Sequence, residues 1–209
     1  MPMSAAVASV VMGAAFGVFP ISWIVFSSLL LYRIAVETGQ FEIIKASLGA
    51  LTNDRRLQLL LVGFGFSAFI EGSAGFGSPV AVSAAMLTGL GFPAFYAALL
   101  CLIGNTAPVA FGSIGIPILT LGQTTGLPVD ALSAMTGRLL APLAVIVPAY
   151  LVVVMAGVRG ALAVWPAVLV TGGIFGLVQL AVSNTVGPEL TDILAALATV
   201  GALVLLMRL

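Results

Sequence analysis

An acid and several glycines interrupt one of the most apolar parts of this sequence. The run reads FIEGSAGFGSPV, residues 69–80, and places Glu71 beside three glycines and two serines. A charge in the hydrocarbon interior of a membrane costs on the order of 3 kcal/mol, so an acid in such a setting is a functional candidate. Because desolvation favours the neutral form of a carboxyl group, we predict that Glu71 carries a proton. The alternative is a structural acid that bonds the free N–H groups of its own glycine turn.

A second break follows at residues 105–117, NTAPVAFGSIGIP. Pro79 and Pro108 each precede an apolar run and suit the first turn of a helix, whose N-terminus attracts anions. Hydroxyl and amide groups at both breaks suit a small polar anion, although the glycines could instead serve close helix packing. The candidate substrate-binding residues are Gly72, Ser73, Gly75, Gly77, Ser78, Asn105, Thr106, Gly112 and Ser113.

Other chemistry is poorly represented in the sequence. The chain has no histidine, which excludes imidazole metal sites and histidine acid–base catalysis. Its one cysteine, Cys101, lies in an apolar run, and we find no nucleophile–base pair and no glycine-rich nucleotide loop. We therefore predict no enzyme activity, no metal and no cofactor. Arg138 begins an apolar segment and either attracts an anion at the mouth of a site or extends to the lipid headgroups.

The composition defines the class of protein that holds these residues. Of 209 residues, 61% are hydrophobic and 7% are charged, whereas a soluble domain carries roughly 25% charged residues. The apolar runs are long and continuous, so the predicted fold is an all-α integral membrane protein in a lipid bilayer. Seven basic residues balance seven acidic ones without a basic tract, which argues against nucleic acid as a partner.

The apolar runs divide the chain into segments. We predict a transmembrane helix over 5–32, a cytoplasmic or interfacial segment over 33–56, a re-entrant hairpin over 57–90, a broken transmembrane helix over 94–121, and transmembrane helices over 139–158, 161–182 and 193–207. Within the second segment, residues 41–51 have the spacing of an interfacial helix, and a solvated loop is the alternative. The N-terminus lacks the basic region of a signal peptide, so we interpret the first run as a retained helix.

The distribution of basic residues distinguishes a re-entrant hairpin from a membrane crossing at residues 57–90. Lys and Arg concentrate on the cytoplasmic side of a membrane protein. A hairpin places six basic residues on one side and Arg138 on the other, whereas a crossing gives five against two. The bias favours a hairpin that enters from the cytoplasm, with the N-terminus outside and the C-terminus inside. Paired interrupted helices of this kind indicate the binding site of a transporter.

Several stretches resemble the L-lactate permease family of bacterial carriers. They are FIEGSAGFGSPVAV, YAALLCLIGNTAPVAFGSIGIPILTLGQTTGL, LYRIAVETGQFEIIKASL, TNDRRLQLLLVGFGF, WPAVLVTGG and SNTVGPELTDI. The resemblance implies proton-coupled symport of lactate, glycolate and related 2-hydroxy monocarboxylates across the bacterial cytoplasmic (inner) membrane by a multi-pass protein. It also implies an ion-transporter-like half with a re-entrant hairpin and a broken helix, moving as in an elevator mechanism.

The same resemblance implies a role for the second break and a missing part. Related carriers bind the substrate carboxylate with Ser-Asn-Thr-type residues, whose counterparts here are Asn105 and Thr106, while Gly104 stands in place of the serine. Members of the family are much longer, so we expect a fragment covering the first half, with the second half of the same transporter as its partner. A passive monocarboxylate channel and a non-transporting membrane scaffold subunit are the alternative functions.

Overall fold

The computed structural model describes residues 3–75 and 77–208, and all the regular elements in these ranges are helical. This confirms the predicted all-α class. The α-helices are α1 (Met3–Phe16), α2 (Ser22–Glu37), α3 (Gln40–Leu51), α4 (Arg55–Gln58), α5 (Ser67–Ser73), α6 (Ser78–Gly89), α7 (Ala94–Gly104), α8 (Gly112–Thr125), α9 (Val129–Ala163), α10 (Trp165–Thr185) and α11 (Thr191–Arg208). Wider π turns cover Gly17–Ile21 and Leu59–Phe66, and a 3-10 turn covers Val109–Phe111.

Among the described residues, α9, α10 and α11 are each long and apolar enough to cross a membrane. A fourth candidate is the bent pair formed by α7 and the segment Val109–Thr125, whose axes meet at 71°. Large apolar side chains such as Leu139, Ile146 and Leu177 lie exposed on the outside of these helices. A lipid environment accommodates such a surface, whereas water would not. The chain is therefore a multi-pass membrane protein.

The observed helix bounds differ from the predicted segments, most of all at α9 and α2. Helix α9 runs over Val129–Ala163, well beyond the predicted 139–158, and changes direction at Gly157, where φ is 70°. Helix α2 continues to Glu37, past the predicted end at residue 32. Residues 41–51, for which a helix and a loop were both open, lie within α3.

Helices α9 and α10 pack as an antiparallel pair through small residues. A Cβ added at Gly172 would lie 2.5 Å from the carbonyl oxygen of Val145 and 2.9 Å from its Cα. A Cβ added at the next residue, Gly173, would have no atom within 4 Å. The backbones of the two helices therefore touch on one face of α10, as small residues allow in membrane proteins.

We expect Gly172→Ala to destabilise the protein and Gly173→Ala to leave it unchanged or slightly more stable. Overpacking a backbone contact costs roughly 1–3 kcal/mol, whereas alanine in an open helix position gains about 0.5–1 kcal/mol over glycine. Thermal unfolding of both variants in detergent, followed by circular dichroism, measures the difference. Equal melting temperatures would contradict the close α9–α10 packing.

Residues 55–89 double back on themselves. Helices α4 and α5, joined by the π turns, form one arm; the chain unwinds after Ser73, and α6 forms the return arm. At the open end, the Arg55 guanidinium lies 5.7 Å from the centre of the Phe92 ring, a cation–π distance. Because Arg55 is the first residue of the first arm and Phe92 follows the second arm, the start of the first arm and the end of the second lie at the same level.

Asp54 caps the start of the first arm. Its Oδ1 accepts a hydrogen bond of 2.8 Å from the backbone N–H of Arg56, and its carboxylate also forms a salt bridge with the Arg56 guanidinium. Arg56 Nη1 donates a 3.2 Å bond to the carbonyl of Gly160, near the end of α9. The base of the hairpin and the end of α9 therefore lie on the same side of the molecule.

We expect Asp54→Ala to destabilise the hairpin by about 1 kcal/mol, the usual value of an N-cap, and Asp54→Asn to cost less because asparagine still caps. The hydrogen bond from the Arg56 side chain holds the pKa of Asp54 below its usual value. This stabilisation is therefore complete above the unfolded-state pKa and is lost as the pH falls through the lower folded-state pKa. Melting temperatures of both variants at neutral and acidic pH measure the two effects; identical melting of Asp54→Ala and wild type would contradict them.

Candidate functional site

The two predicted breaks lie against each other. Ser113 Oγ donates a 2.7 Å hydrogen bond to the carbonyl of Ala74, which joins the second break to the first. A Cβ added at Gly75 would collide with Ser113 Oγ, and one added at Gly112 would collide with Oε1 of Glu71. Two glycines thus allow a contact that any side chain would prevent.

Glu71 lies at the centre of this contact. Its side chain is 3% exposed, so it points into the protein rather than toward lipid or solvent. The Asn105 side chain lies beside the carboxyl group, while Oε2 has no hydrogen-bond partner among the described residues. A buried polar atom without a partner is rare and calls for a functional explanation.

The first break is shorter than the sequence suggested. Glu71 and Gly72 belong to α5, which ends at Ser73, and α6 begins at Ser78 with Pro79 in its first turn. The tip is closed by hydrogen bonds from the N–H groups of Ala74 and Gly75 to the carbonyl of Ile70. Phe76 lies outside the described residues. The acid therefore projects from the last turn of a helix.

The second break contains an unusual backbone. Ser113, Ile114 and Gly115 all have left-handed dihedral angles, with φ of 48°, 57° and 75°. A left-handed conformation costs a residue other than glycine roughly 1–2 kcal/mol, so the surrounding contacts must maintain it. A Cβ at Gly115 would lie 2.8 Å from Cβ of Pro188, which packs against this run. The regular second half-helix thus starts after Gly115, and the expectation that it opens at Pro108 is wrong, since Pro108 precedes a 3-10 turn.

Four candidate hydroxyl groups already donate their hydrogens to backbone carbonyls. Ser73 donates to Phe69, Ser78 to Gly75, Thr106 to Ile103 and Ser113 to Ala74. Ser73, Gly77 and Thr106 are exposed, Ser78 and Asn105 are half-buried, and Gly72, Gly75, Gly112 and Ser113 are buried. In this arrangement the hydroxyl oxygens offer lone pairs, so an anionic group would have to be bound by N–H donors instead.

A second buried acid was missed at the sequence level. Asp192 is 0% exposed, and a Cβ at Gly72, next to Glu71, would lie 2.8 Å from Cβ of Asp192. Glu71 is therefore one of two acids buried at this contact, and Asp192 is not among the predicted site residues. Asp192 stands in the first turn of α11, directly after a polar stretch that reads as a loop. The sequence does contain one further sign of a polar site, which is Gln179 in the middle of an apolar segment. In the structure this side chain is fully buried, and its Nε2 donates a 3.2 Å hydrogen bond to the carbonyl of Ala107 in the second break.

Arg138 makes its hydrogen bond outside the two breaks. Its guanidinium Nε donates a 3.0 Å hydrogen bond to Oδ1 of Asn184 at the exposed end of α10. It also lines a groove of about 360 Å³ between α9 and α10. No contact in the described part of the chain joins Arg138 to the two breaks. Within residues 3–75 and 77–208, no group of three or more His, Cys, Asp or Glu side chains is placed to hold a metal ion.

Comparison with known proteins gives the family. The family described as L-lactate permease matches residues 1–209. The L-lactate permeases of Bacillus subtilis (strain 168) and Escherichia coli (strain K12) are 53% and 50% identical over 208 residues, which is 100% of this chain but 37% and 38% of theirs. The glycolate permease of Escherichia coli (strain K12) is 50% identical over 208 residues, 100% of this chain and 37% of its own length.

The chain thus spans little more than a third of the length of these relatives. No solved structure matches it. The relatives are permeases, which are transporters and not enzymes. A match over the whole chain, at about half identity, is decisive: this chain belongs to the L-lactate permease family.

Proposed function

We propose that this chain forms part of a carrier that moves lactate, glycolate or similar 2-hydroxy monocarboxylates together with a proton. The observation that carries the proposal is the contact between two helix breaks around the buried carboxyl group of Glu71. Interrupted helices that meet inside a membrane protein form ion and substrate sites in secondary transporters. The substrate class follows from the names of the relatives, which are lactate and glycolate permeases.

In this proposal the two breaks bind the substrate. The candidate residues are Gly72, Ser73, Gly75, Gly77, Ser78, Asn105, Thr106, Gly112 and Ser113. Backbone N–H groups of the unwound segments suit a carboxylate, as helix N-termini do. The oxygens of Ser and Thr, whose hydrogens are already donated, suit the 2-hydroxyl group, which is a donor. The hydrogen bond that Arg138 makes goes to Asn184, so we propose that its role is attraction of the anion at the surface.

The proposed arrangement in the membrane follows from the base of the hairpin. Arg55 contacts Phe92, and Arg56 bonds the carbonyl of Gly160. Since Arg159 directly precedes Gly160, three arginines lie at this end of the molecule. A cytoplasmic location of this end obeys the positive-inside rule and makes residues 57–90 a re-entrant hairpin in the bacterial cytoplasmic membrane. The segments 94–121, 139–158, 161–182 and 193–207 then cross the bilayer.

We propose further that a second half completes the site. Ser73, Gly77 and Thr106 are exposed at the contact between the breaks, and the relatives are much longer than this chain. A second pair of broken helices would cover this open side. Substrate would then be enclosed between the halves, as inverted repeats enclose it in other carriers.

Uptake by the full-length carrier in proteoliposomes tests the proposal. With an acidic exterior, lactate should accumulate above its outside concentration, and a dye trapped inside should report proton entry with the lactate. Uptake that equilibrates without responding to the pH gradient would indicate a passive channel. Absence of lactate movement in the full-length protein, with correct folding shown by its melting curve, would indicate a scaffold.

A further inference from the structure

The buried acids of α5 and α11 are closely juxtaposed. Helix α11 runs antiparallel to the first arm of the hairpin: a Cβ at Gly72 would lie 3.0 Å from the backbone N of Ile193, and one at Gly65 would lie 2.9 Å from a methyl group of Val200. This packing brings Asp192 beside the turn that carries Glu71, close enough for the two charges to interact.

Several oxygen atoms around the two acids have no hydrogen-bond donor among the described residues. They are Oε2 of Glu71, both carboxyl oxygens of Asp192, Oδ1 of Asn105 and Oε1 of Gln179. Glu71, Asp192 and Gln179 are each at least nine-tenths buried, and the Gln179 side chain lies beside Asp192. A cluster of buried acceptors without donors is incomplete, and it requires a cation or a proton.

The tight packing favours a proton. A Cβ added at Gly112 would collide with Oε1 of Glu71, and one added at Gly72 would lie 2.8 Å from Cβ of Asp192, so both acids are closely packed by the backbone around them. A metal ion requires a shell of six or more oxygen atoms at fixed distances in a cavity of matching size. A proton requires no space beyond one O–H bond.

Other charged groups do not neutralise the pair. On the described elements packed against α5 and α11, the other titratable side chains are Tyr96, Cys101 and Arg208. The Tyr96 hydroxyl donates to the Val154 carbonyl, and Cys101 is buried in the apolar core. Arg208 stands at the opposite end of α11, about 24 Å along the helix at 1.5 Å per residue. Glu189, in the preceding loop, would add negative charge only.

We propose that Glu71 and Asp192 form one proton-binding unit, which alternates between one and two protons during transport. This inference rests on the proposed proton-coupled function. With one proton on either carboxyl group, the unit carries one negative charge. The second proton binds to an oxygen of the remaining carboxylate and makes the unit neutral; no other bond forms or breaks.

This arrangement explains the coupling by electrostatics. A substrate carboxylate near the singly protonated unit is repelled, so substrate binding and uptake of the second proton favour each other. Two interacting acids titrate as a pair, and the proton that stays in the unit limits its negative charge to one. A single acid in the same place would keep its proton throughout the cycle.

The test uses infrared difference spectra of the full-length carrier between acidic and alkaline pH. In the wild type, one band of a protonated carboxyl group should disappear as the pH rises. We expect both Asp192→Asn and Glu71→Gln to remove this change, and Asp192→Asn to reduce lactate-dependent proton entry to about a hundredth or less, the size of effect typical for loss of a proton-transfer group. Lactate-for-lactate exchange should continue in both. Asp130→Asn, at an exposed acid in the first turn of α9, serves as the matched control.

Isotope labelling provides a readout without mutation. In wild-type carrier grown with carbon-13 aspartate, part of the pH-dependent band should shift. An unshifted band, or an unchanged pH response in Asp192→Asn, would show that Asp192 does not share in proton binding. The proposed unit would then be wrong, although proton-coupled transport would still stand. Accumulation of lactate driven by a sodium gradient at equal pH would show that the cluster binds a metal cation, and the proposed proton-binding unit would again be wrong. If wild-type lactate movement is independent of protons, the proposed function itself fails.

Discussion

Glu71→Gln in the full-length carrier is expected to abolish accumulation of lactate driven by a pH gradient. Glutamine keeps the shape of the side chain but cannot carry a proton. One pH unit corresponds to about 1.4 kcal/mol, so a gradient of two units can sustain roughly 100-fold accumulation with one proton per lactate. In the variant the ratio of inside to outside lactate should fall to about 1, as measured with radiolabelled lactate in proteoliposomes.

Exchange of lactate for lactate distinguishes lost coupling from lost folding. It requires binding and reorientation but no net proton movement, so the variant should retain it. Glu37→Gln, at an exposed glutamate that ends α2, is the control and should accumulate lactate normally. Normal accumulation in Glu71→Gln would remove this acid from the mechanism, and loss of both exchange and melting stability would give it a structural role.

Gly75→Ala is the second substitution with a large expected effect. Gly75 has φ of 58°, and an added Cβ would collide with Oγ of Ser113 and lie 3.0 Å from its backbone N. The change should cost roughly 1–2 kcal/mol for the left-handed backbone and a further 1–3 kcal/mol for the collision. It would push the two breaks apart, so both lactate exchange and thermal stability should fall sharply.

Gly77→Ala is the matched control for this prediction. Gly77 has φ of 84°, so alanine meets the same backbone penalty, but its added Cβ has no atom within 4 Å. The difference between the two variants therefore isolates the contact between the breaks. Exchange rates and melting temperatures measured side by side give the comparison, and equal losses would show that the contact with Ser113 does not matter for transport.

The fold class could be predicted from the sequence because apolar length and scarcity of charge are strong signals in a membrane protein. The interruptions near Glu71 and Asn105 could also be predicted from their Gly and Pro residues. Their exact extent could not, since Gly72 and Ser73 continue the helix and their conformation depends on packing against α11. The left-handed dihedral angles of Ser113 and Ile114 contradict local preference and are imposed by tertiary contacts.

Asp192 shows why part of the candidate site was not predictable. Asp192 is the second residue of α11. Negative side chains are common at this position because they interact favourably with the helix dipole. Nothing in the local sequence indicates that this helix end is buried beside Glu71, because the contact joins residues 120 positions apart through the packing of Gly72. By contrast, membership of the L-lactate permease family, predicted from the resemblance, is confirmed by the family match and the relatives.

The cation–π contact at the base of the hairpin constrains how it can move. Arg55 and Phe92 join the two ends of a segment whose tip carries the candidate site, and Arg56 fastens the same base to α9. Spin labels on the two arms should therefore keep a constant separation while transport proceeds. The site is therefore expected to open by movement of the whole hairpin as a rigid body or by a change in the conformation of its tip, because the contacts at the base oppose separation of the two arms.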